Sequence, residues 1–276
     1  MNMFRYLRQR YSSQPSETPF AAQKRDKLRR IKPLLKRGLP CTKTDLHYNF
    51  LTDDLKAKYH IIDTDNVSAH DYDPIACNLI EQHRNGMLLD CGAGKRSTYY
   101  PNVVNFEIVP YDTTDVLGVG EELPFADQTF DAVFSLNVLE HVTNPFQCAA
   151  EIVRVMKPNA TLYCVVPFLQ ALHGYPNHYY NMTHAGLRNL FDQKLTIHNQ
   201  DVFPSGLPIW TLNHVLRRWL SDLDEATREQ FASMQIKDLL NDPITYLEQP
   251  FVTQMSKEVQ FELASTTALI ATKPAR

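Results

Sequence analysis

The sequence predicts an α/β protein with a mostly parallel sheet covered by helices on both faces. Two observations carry this. Five short apolar runs lie between residues 87 and 166, and helix or turn signals separate each run from the next. Runs that are apolar throughout suit strands buried on both faces rather than strands with one wet side. The 276 residues are 43% apolar and 21% charged, which suits a globular chain and excludes a wholly disordered one. No stretch reaches the ~18 uninterrupted apolar residues that a membrane helix needs.

Taken in order, residues 11–19 read as a flexible break and 22–38 as a basic helix ending near Gly38-Leu39-Pro40. Residues 41–72 give no clean pattern. Asp73-Pro74 opens a helix with proline at its first position. Ile75, Leu79, Ile80 and His83 form its apolar face, and Asn85-Gly86 ends it. Met87–Asp90 is the first core strand, Val103–Val109 the second, Val116–Val119 a short third and Phe130–Leu136 the fourth. Asn144 caps a helix with Pro145 at N1, its face carries Ile152, Val153 and Met156, and Pro158 stops it. Thr161–Val166 is a fifth strand. Residues 194–203 read as a sixth and 261–273 as a last. Between them lies a helical insertion, 204–259, with Leu212, Val215, Leu216, Trp219 and Leu220 at helical spacing. Its place leaves room for a lid or a homodimer contact.

Charge is uneven. Residues 1–40 hold eleven Lys and Arg against two acids, a balance of +9, so the other 236 residues sum to −12 for a net −3. We read 1–40 as a basic, solvated helical arm, with folding against the body left open, and 41–276 as one domain. RNA or membrane-surface attraction and an organellar leader are the alternative readings of the arm. Five cysteines with no CxxC argue for a reducing compartment and against a zinc ribbon. With no apolar leader near the start, the expected location is cytoplasmic. No metal-ligand spacing stands out, so no metal is expected.

The strongest chemical signal is Leu88-Leu89-Asp90-Cys91-Gly92-Ala93-Gly94. Two glycines directly after a buried strand let a ligand approach the backbone closely. Asp90, at the strand end, can accept from a ligand amine or orient the loop. Seventeen residues on, Glu107 ends the next strand, where two carboxylate oxygens suit a ribose diol. A dinucleotide would prefer G-x-G-x-x-G, but Ser97 stands where the third glycine would be. D-x-G-x-G with a strand-end acid fits S-adenosylmethionine, which has no pyrophosphate to cradle. A tight turn without any ligand is the plain structural reading.

The succession LLDCGAG, NFEIV, GEELPFADQTFDAVFSLNVLEHV and EIVRVMKPNATLYCVVPF resembles class I S-adenosylmethionine-dependent methyltransferases of the type 11 family, over about residues 85–192. The resemblance implies a Rossmann-like, seven-stranded sheet. It implies that Asp90, Cys91, Gly92, Ala93 and Gly94 border the methionine part of the donor, that Glu107 holds the ribose and that Ile108 packs on the adenine. Glu121, Glu122 and Leu123 would follow the adenine edge, with Asn137 and Val138 near the transferred methyl and Glu140 and His141 close by. Two departures stand out. Val119 replaces a frequent acid, and only twelve residues separate Gly94 from Glu107, so the first crossover helix must be very short or a loop.

The acceptor side falls on His173–Thr183, just beyond the fifth strand, where open parallel sheets bind ligands. His173, His178 and His141 are the candidate general bases for an oxygen acceptor. Tyr175, Tyr179 and Tyr180 are candidate pocket walls, and His70 and Tyr72 can reach in from the segment before the first core strand. The expectation is O-methylation, by direct displacement, of a small-molecule or glycan-type acceptor. Three rivals remain: an RNA methyltransferase recruited by the arm, a non-catalytic scaffold of the same fold, and an NAD-dependent dehydrogenase. The acidic body argues against a nucleic-acid partner.

Overall fold

Residues 20–64, 68–174, 177–269 and 272 are described by the computed structural model. Contacts divide the chain into two units, residues 1–165 and 166–276. The division falls at the end of the sheet.

The first unit is built on seven strands: β1 (Thr42–Lys43), β2 (Tyr48–Asn49), β3 (Leu88–Cys91), β4 (Val103–Glu107), β5 (Val116–Leu117), β6 (Phe130–Leu136) and β7 (Met156–Val165). Their order across the sheet is β1-β2-β5-β4-β3-β6-β7, parallel throughout except for the β1–β2 pair. Leu88 to Cys91 pair with Val103 to Phe106 on one side, and Leu88 to Asp90 with Ala132 to Phe134 on the other. All four β3 residues are buried, as a central strand covered on both faces requires.

Seven strands are present among the described residues, but two are not those the sequence suggested. Residues 194–203 form no strand. Leu195 and Ile197 are half-buried, but the polar run His198–Asp201 that follows is exposed and has no face to bury. Residues 261–263 end a helix and 264–269 form no strand, while 270, 271 and 273 lie outside the described residues. The sheet is completed instead by the β1–β2 hairpin, from the stretch that gave no pattern. Strands of two residues leave too short a period to read.

Helix α1 (Ala21–Ile31) corrects the solvated-arm expectation. It buries Leu28 and Ile31, and also Lys24 and Lys27. Both lysines converge on buried Asp115: Lys27 Nζ lies 2.6 Å from Oδ2 and Lys24 Nζ 3.9 Å from Oδ1. The Tyr99 hydroxyl donates to Oδ1, and the Asn105 N–H donates to Oδ2 at 2.9 Å. Burial pushes Lys24 down to about 8 against the pull of Asp115, and lowers Lys27 as well. After α2 (Asp53–Lys58), α3 (Pro74–Gln82) begins as expected, with Asp73 Oδ1 accepting the Ala76 N–H at 2.8 Å. In α4 (Pro145–Val155), Asn144 caps Gln147 at 3.0 Å. The chain passes from α4 straight into β7, so Pro158 lies within a strand rather than ending the helix. Between β3 and β4 the crossover is a loop.

The second unit is helical among its described residues: α5 (His184–Phe191), α6 (Pro208–Ser221), α7 (Glu225–Ala232), α8 (Pro250–Thr253) and α9 (Lys257–Leu263). Its core gathers Leu223, Phe231 and Phe251, packed against Leu216, Trp219 and Leu220. The Phe231 and Phe251 rings stack at 4.8 Å, and the Trp219 indole N–H donates to the Phe251 carbonyl at 2.6 Å. The apolar stripe of α6 therefore divides, since its C-terminal half packs while Leu212 is exposed. No described helix is long and apolar enough to cross a membrane.

Candidate functional site

The glycine turn leaves β3 with both glycines at positive φ, Gly92 at 80° and Gly94 at 62°. A Cβ on Gly92 would stand 2.5 Å from Val138 Cγ2, and one on Gly94 2.7 Å from the Ser68 carbonyl oxygen. Glycine is thus required by the protein's own packing, since Ser68 crosses directly over the turn. That crossing segment is fixed by two hydrogen bonds: Lys95 N–H donates to Ser68 O at 2.7 Å and His70 N–H to Lys95 O at 3.3 Å.

Every backbone N–H from Gly92 to Arg96 has a partner inside the protein. Gly92 and Ala93 both donate to the Phe106 carbonyl, at 2.9 and 3.0 Å. Gly94 donates to Glu107 Oε2 at 2.7 Å, Lys95 to Ser68, and Arg96 to Thr113 Oγ1 at 3.3 Å. The turn therefore offers no donors. It offers acceptors instead. Asp90 is fully buried, and its Oδ1 has no hydrogen-bond partner among the described residues. Its Oδ2 accepts from the Tyr72 hydroxyl at 2.6 Å and from Arg96 Nε at 3.0 Å, with the second guanidinium nitrogen 2.9 Å away. Arg96 lies over the Tyr72 ring, 4.3 Å from its centroid. Burial, then the Asp90 charge, holds the Tyr72 hydroxyl well above the ordinary phenol range, so it remains a donor at working pH.

Glu107 binds two backbone N–H groups, Gly94 through Oε2 and Ile108 through Oε1, each at 2.7 Å. Each oxygen keeps a second lone-pair site. Burial raises its pKa, and the hydrogen bonds from Gly94 and Ile108 offset part of that. The expected ribose carboxylate is thus also the brace of the turn.

Beyond β6, Asn137 is exposed and adopts a left-handed φ of 56°, and Val138 packs against Gly92. Glu140 is fully buried beside His141, with 3.8 Å between Oε1 and Nε2. Glu121 and Glu122, expected along the adenine edge, have structural partners. Glu121 Oε1 accepts from the Thr143 N–H and hydroxyl, at 2.9 and 3.0 Å, ahead of α4. Glu122 Oε1 binds Lys58 Nζ and, at 2.7 Å, the Tyr59 hydroxyl. Leu123 is buried. His70 is exposed, and burial with the nearby Arg96 charge lowers its pKa. His70, Tyr72, Cys77, Arg96 and Tyr100 line a pocket of about 170 Å³, smaller than the roughly 300 Å³ at which ligand pockets usually begin.

In the second unit the His/Tyr segment is knitted to itself. His173 and His178 meet edge to face at 4.4 Å, and the His173 N–H donates to His178 Nδ1 at 3.3 Å. His178 Nε2 faces the Tyr180 carbonyl at 3.2 Å and Asn181 Oδ1 at 3.0 Å. Both ring nitrogens of His178 are thereby engaged in its own loop, which weighs against it as a general base. His173 Nδ1 donates to the Ala171 carbonyl at 3.0 Å. Tyr179 and Tyr180 are exposed, and Tyr175 lies outside the described residues.

Of the proposed donor-side residues, the turn, Glu107, Ile108 and Val138 form one cluster, joined by Tyr72 through Asp90. Sequence reasoning missed Arg96, because a basic pair after a glycine turn reads as solvated. It placed Tyr72 with the acceptor, whereas its hydroxyl is spent on Asp90.

The sheet order and its helices define a Rossmann-like α/β unit. The family described as a methyltransferase domain matches residues 89–164. An uncharacterized methyltransferase of Mycobacterium avium (strain 104) is 38% identical over 78 residues, 28% of this chain and 30% of its own. One from Mycobacterium leprae (strain Br4923) is 36% identical over 77 residues, 28% of each chain. The chain thus spans under a third of the length of these curated relatives. Among solved structures, the YcgJ protein of Bacillus subtilis is 14% identical with a TM-score of 0.34, over 58% of this chain and 91% of its own. The 1,6-didemethyltoxoflavin-N1-methyltransferase of Burkholderia thailandensis is 17% identical with a TM-score of 0.32, over 44% and 65%.

Proposed function

We propose that this chain is an S-adenosylmethionine-dependent methyltransferase that methylates an oxygen of a small-molecule or sugar-containing acceptor. One observation carries the choice of donor: the turn has spent its N–H donors and kept acceptors. A dinucleotide pyrophosphate needs those N–H groups, and Gly92 to Arg96 have none to give. An amine and a ribose diol present donors, which suit the unpartnered Asp90 Oδ1 and the second lone pairs of Glu107. When bound, such a donor supplies a methyl group on a sulfonium centre already reactive toward an aligned nucleophile. Asp90 and Glu107 would hold it, Arg96 and Tyr72 keep Asp90 in place, and Val138 supports the turn from the β6 side.

His141, half-buried in the turn that follows β6, and His173 are the candidate bases that would take the acceptor's proton. An RNA acceptor is the weaker reading, because residues 41–276 sum to −12; Lys24 and Lys27 of the basic arm are buried on Asp115, while Arg25, Arg29, Arg30, Lys32 and Arg37 are exposed. The test is incubation with methyl-labelled donor and hydroxylated metabolites, glycosides or RNA. Label in a hydroxylated or glycosylated product supports the reading. Label in RNA alone, or none despite donor binding, overturns the acceptor class.

A further inference from the structure

We propose that Ser68–Asp71 is a gate over the glycine turn, which lifts at the Asp71–Tyr72 junction to admit and release the donor and closes again through hydrogen bonds to the turn. The inference rests on the donor reading above. Gly94 is buried although Lys95, the next residue, is exposed. The three atoms nearest the Cβ position of Gly94 all belong to Ser68, with its carbonyl oxygen at 2.7 Å. The Gly94 N–H goes to Glu107, so a ligand that reaches Glu107 beside this glycine arrives where Ser68 lies.

The segment is held by hydrogen bonds rather than by packing. Ser68, Ala69, His70 and Asp71 are all exposed, and none carries a large apolar side chain. The Ser68 N–H donates to the Tyr111 hydroxyl at 3.1 Å, and its carbonyl accepts from the Lys95 N–H at 2.7 Å. The His70 N–H donates to the Lys95 carbonyl at 3.3 Å, and its carbonyl accepts from Arg96 Nη1 at 3.1 Å. The Ser97 hydroxyl donates to Asp71 Oδ1, and both residues are exposed. Such bonds exchange for bonds to water at a modest net cost. A segment with little apolar burial and exposed hydrogen bonds is the kind that opens locally. The residues that follow are anchored by contrast. Tyr72 donates to buried Asp90 at 2.6 Å, and its ring meets Tyr100 at 5.7 Å and Phe134 at 5.9 Å. Asp73 caps α3 and accepts from the Tyr163 hydroxyl. A light segment joined to a fixed one sets the hinge between Asp71 and Tyr72.

The experiment uses the full chain, with S-adenosylhomocysteine as the probe. Surface plasmon resonance gives its association and dissociation rates on the unaltered chain, on Asp71→Ala, on Ser97→Ala and on the double variant, and circular dichroism confirms that each is folded. Each single variant breaks the same exposed bond of the closed gate, so both rates should rise about threefold to tenfold while Kd stays within about twofold. The double variant should add little to either single one, because the two residues share that bond. Hydrogen exchange of the free chain should show the His70 and Lys95 amides opening together, at least about tenfold faster than those of β3. Unchanged rates in both single variants while S-adenosylhomocysteine binds, or His70 and Lys95 amides protected as long as those of β3, overturn the gate and leave the donor reading intact. A faster dissociation with Kd weakened in step makes Asp71 a ligand contact and also overturns the gate. An unaltered chain that binds no S-adenosylhomocysteine overturns the donor reading, and the gate with it.

Discussion

Replacing Asp115 by asparagine removes the one carboxylate that faces both buried lysines of α1. It keeps the shape of the side chain and a carbonyl to accept the Asn105 N–H. What it takes away is the counter-charge 2.6 Å from Lys27 and 3.9 Å from Lys24. Breaking a buried pair from one side costs about 3–5 kcal/mol, a large share of the roughly 5–15 kcal/mol that holds a domain. The lysines can limit that cost by losing protons. In the native protein Lys24 sits at about 8, so removing its proton at pH 7 costs about 1.4 kcal/mol. In the unfolded chain both lysines stay protonated to near 10.4. The unfolded state therefore binds more protons than the folded one across this range, and stability rises with pH. In the native protein the Lys24 contribution to that rise lies above about pH 8. In Asp115→Asn it should begin lower and climb more steeply. Urea denaturation at pH 7 and pH 9 is the assay. The loss should be about 3–5 kcal/mol at pH 7 and clearly smaller at pH 9. A loss below about 1 kcal/mol, or one that does not change with pH, would refute the buried-pair argument.

Gly94→Ala places a methyl 2.7 Å from the Ser68 carbonyl at a φ of 62°. The left-handed backbone alone costs about 1–2 kcal/mol, so urea denaturation should report a loss of at least that size. Arg96→Met leaves the Asp90 carboxylate buried with Tyr72 as its donor, and thermal or urea unfolding should report a loss of about 3 kcal/mol. Glu107 titrates above the ordinary carboxylate range because of burial, and diol binding needs its ionised form. Affinity for S-adenosylhomocysteine should therefore weaken on acidification from a higher pH than an ordinary glutamate gives, and Glu107→Gln should flatten that profile.

The parts of the fold that were legible in sequence are those with long, unbroken patterns. β3, β4, β6 and the caps at Asp73 and Asn144 stand where apolar runs and N-cap residues place them. The β1–β2 hairpin was not legible, because a two-residue strand has no period and its pairing with Val116 and Leu117 is a long-range fact. Residues 194–203 show the converse, a brief alternation with no sheet edge to join. Within the site, Asp90, Gly92, Gly94 and Glu107 were readable from residue type and spacing. Arg96 and Lys27 were not. A charge is buried only when tertiary structure brings it a partner, and Asp90 and Asp115 do that here.

The most direct test of the donor site is calorimetric titration of the purified chain with S-adenosylhomocysteine and, separately, with NAD. Saturable one-to-one binding of S-adenosylhomocysteine, lost in Glu107→Ala and with no heat from NAD, is the expected result. Binding of NAD, or S-adenosylhomocysteine binding that survives both Asp90→Ala and Glu107→Ala, would contradict a site that recognises its ligand through acceptors on Asp90 and Glu107.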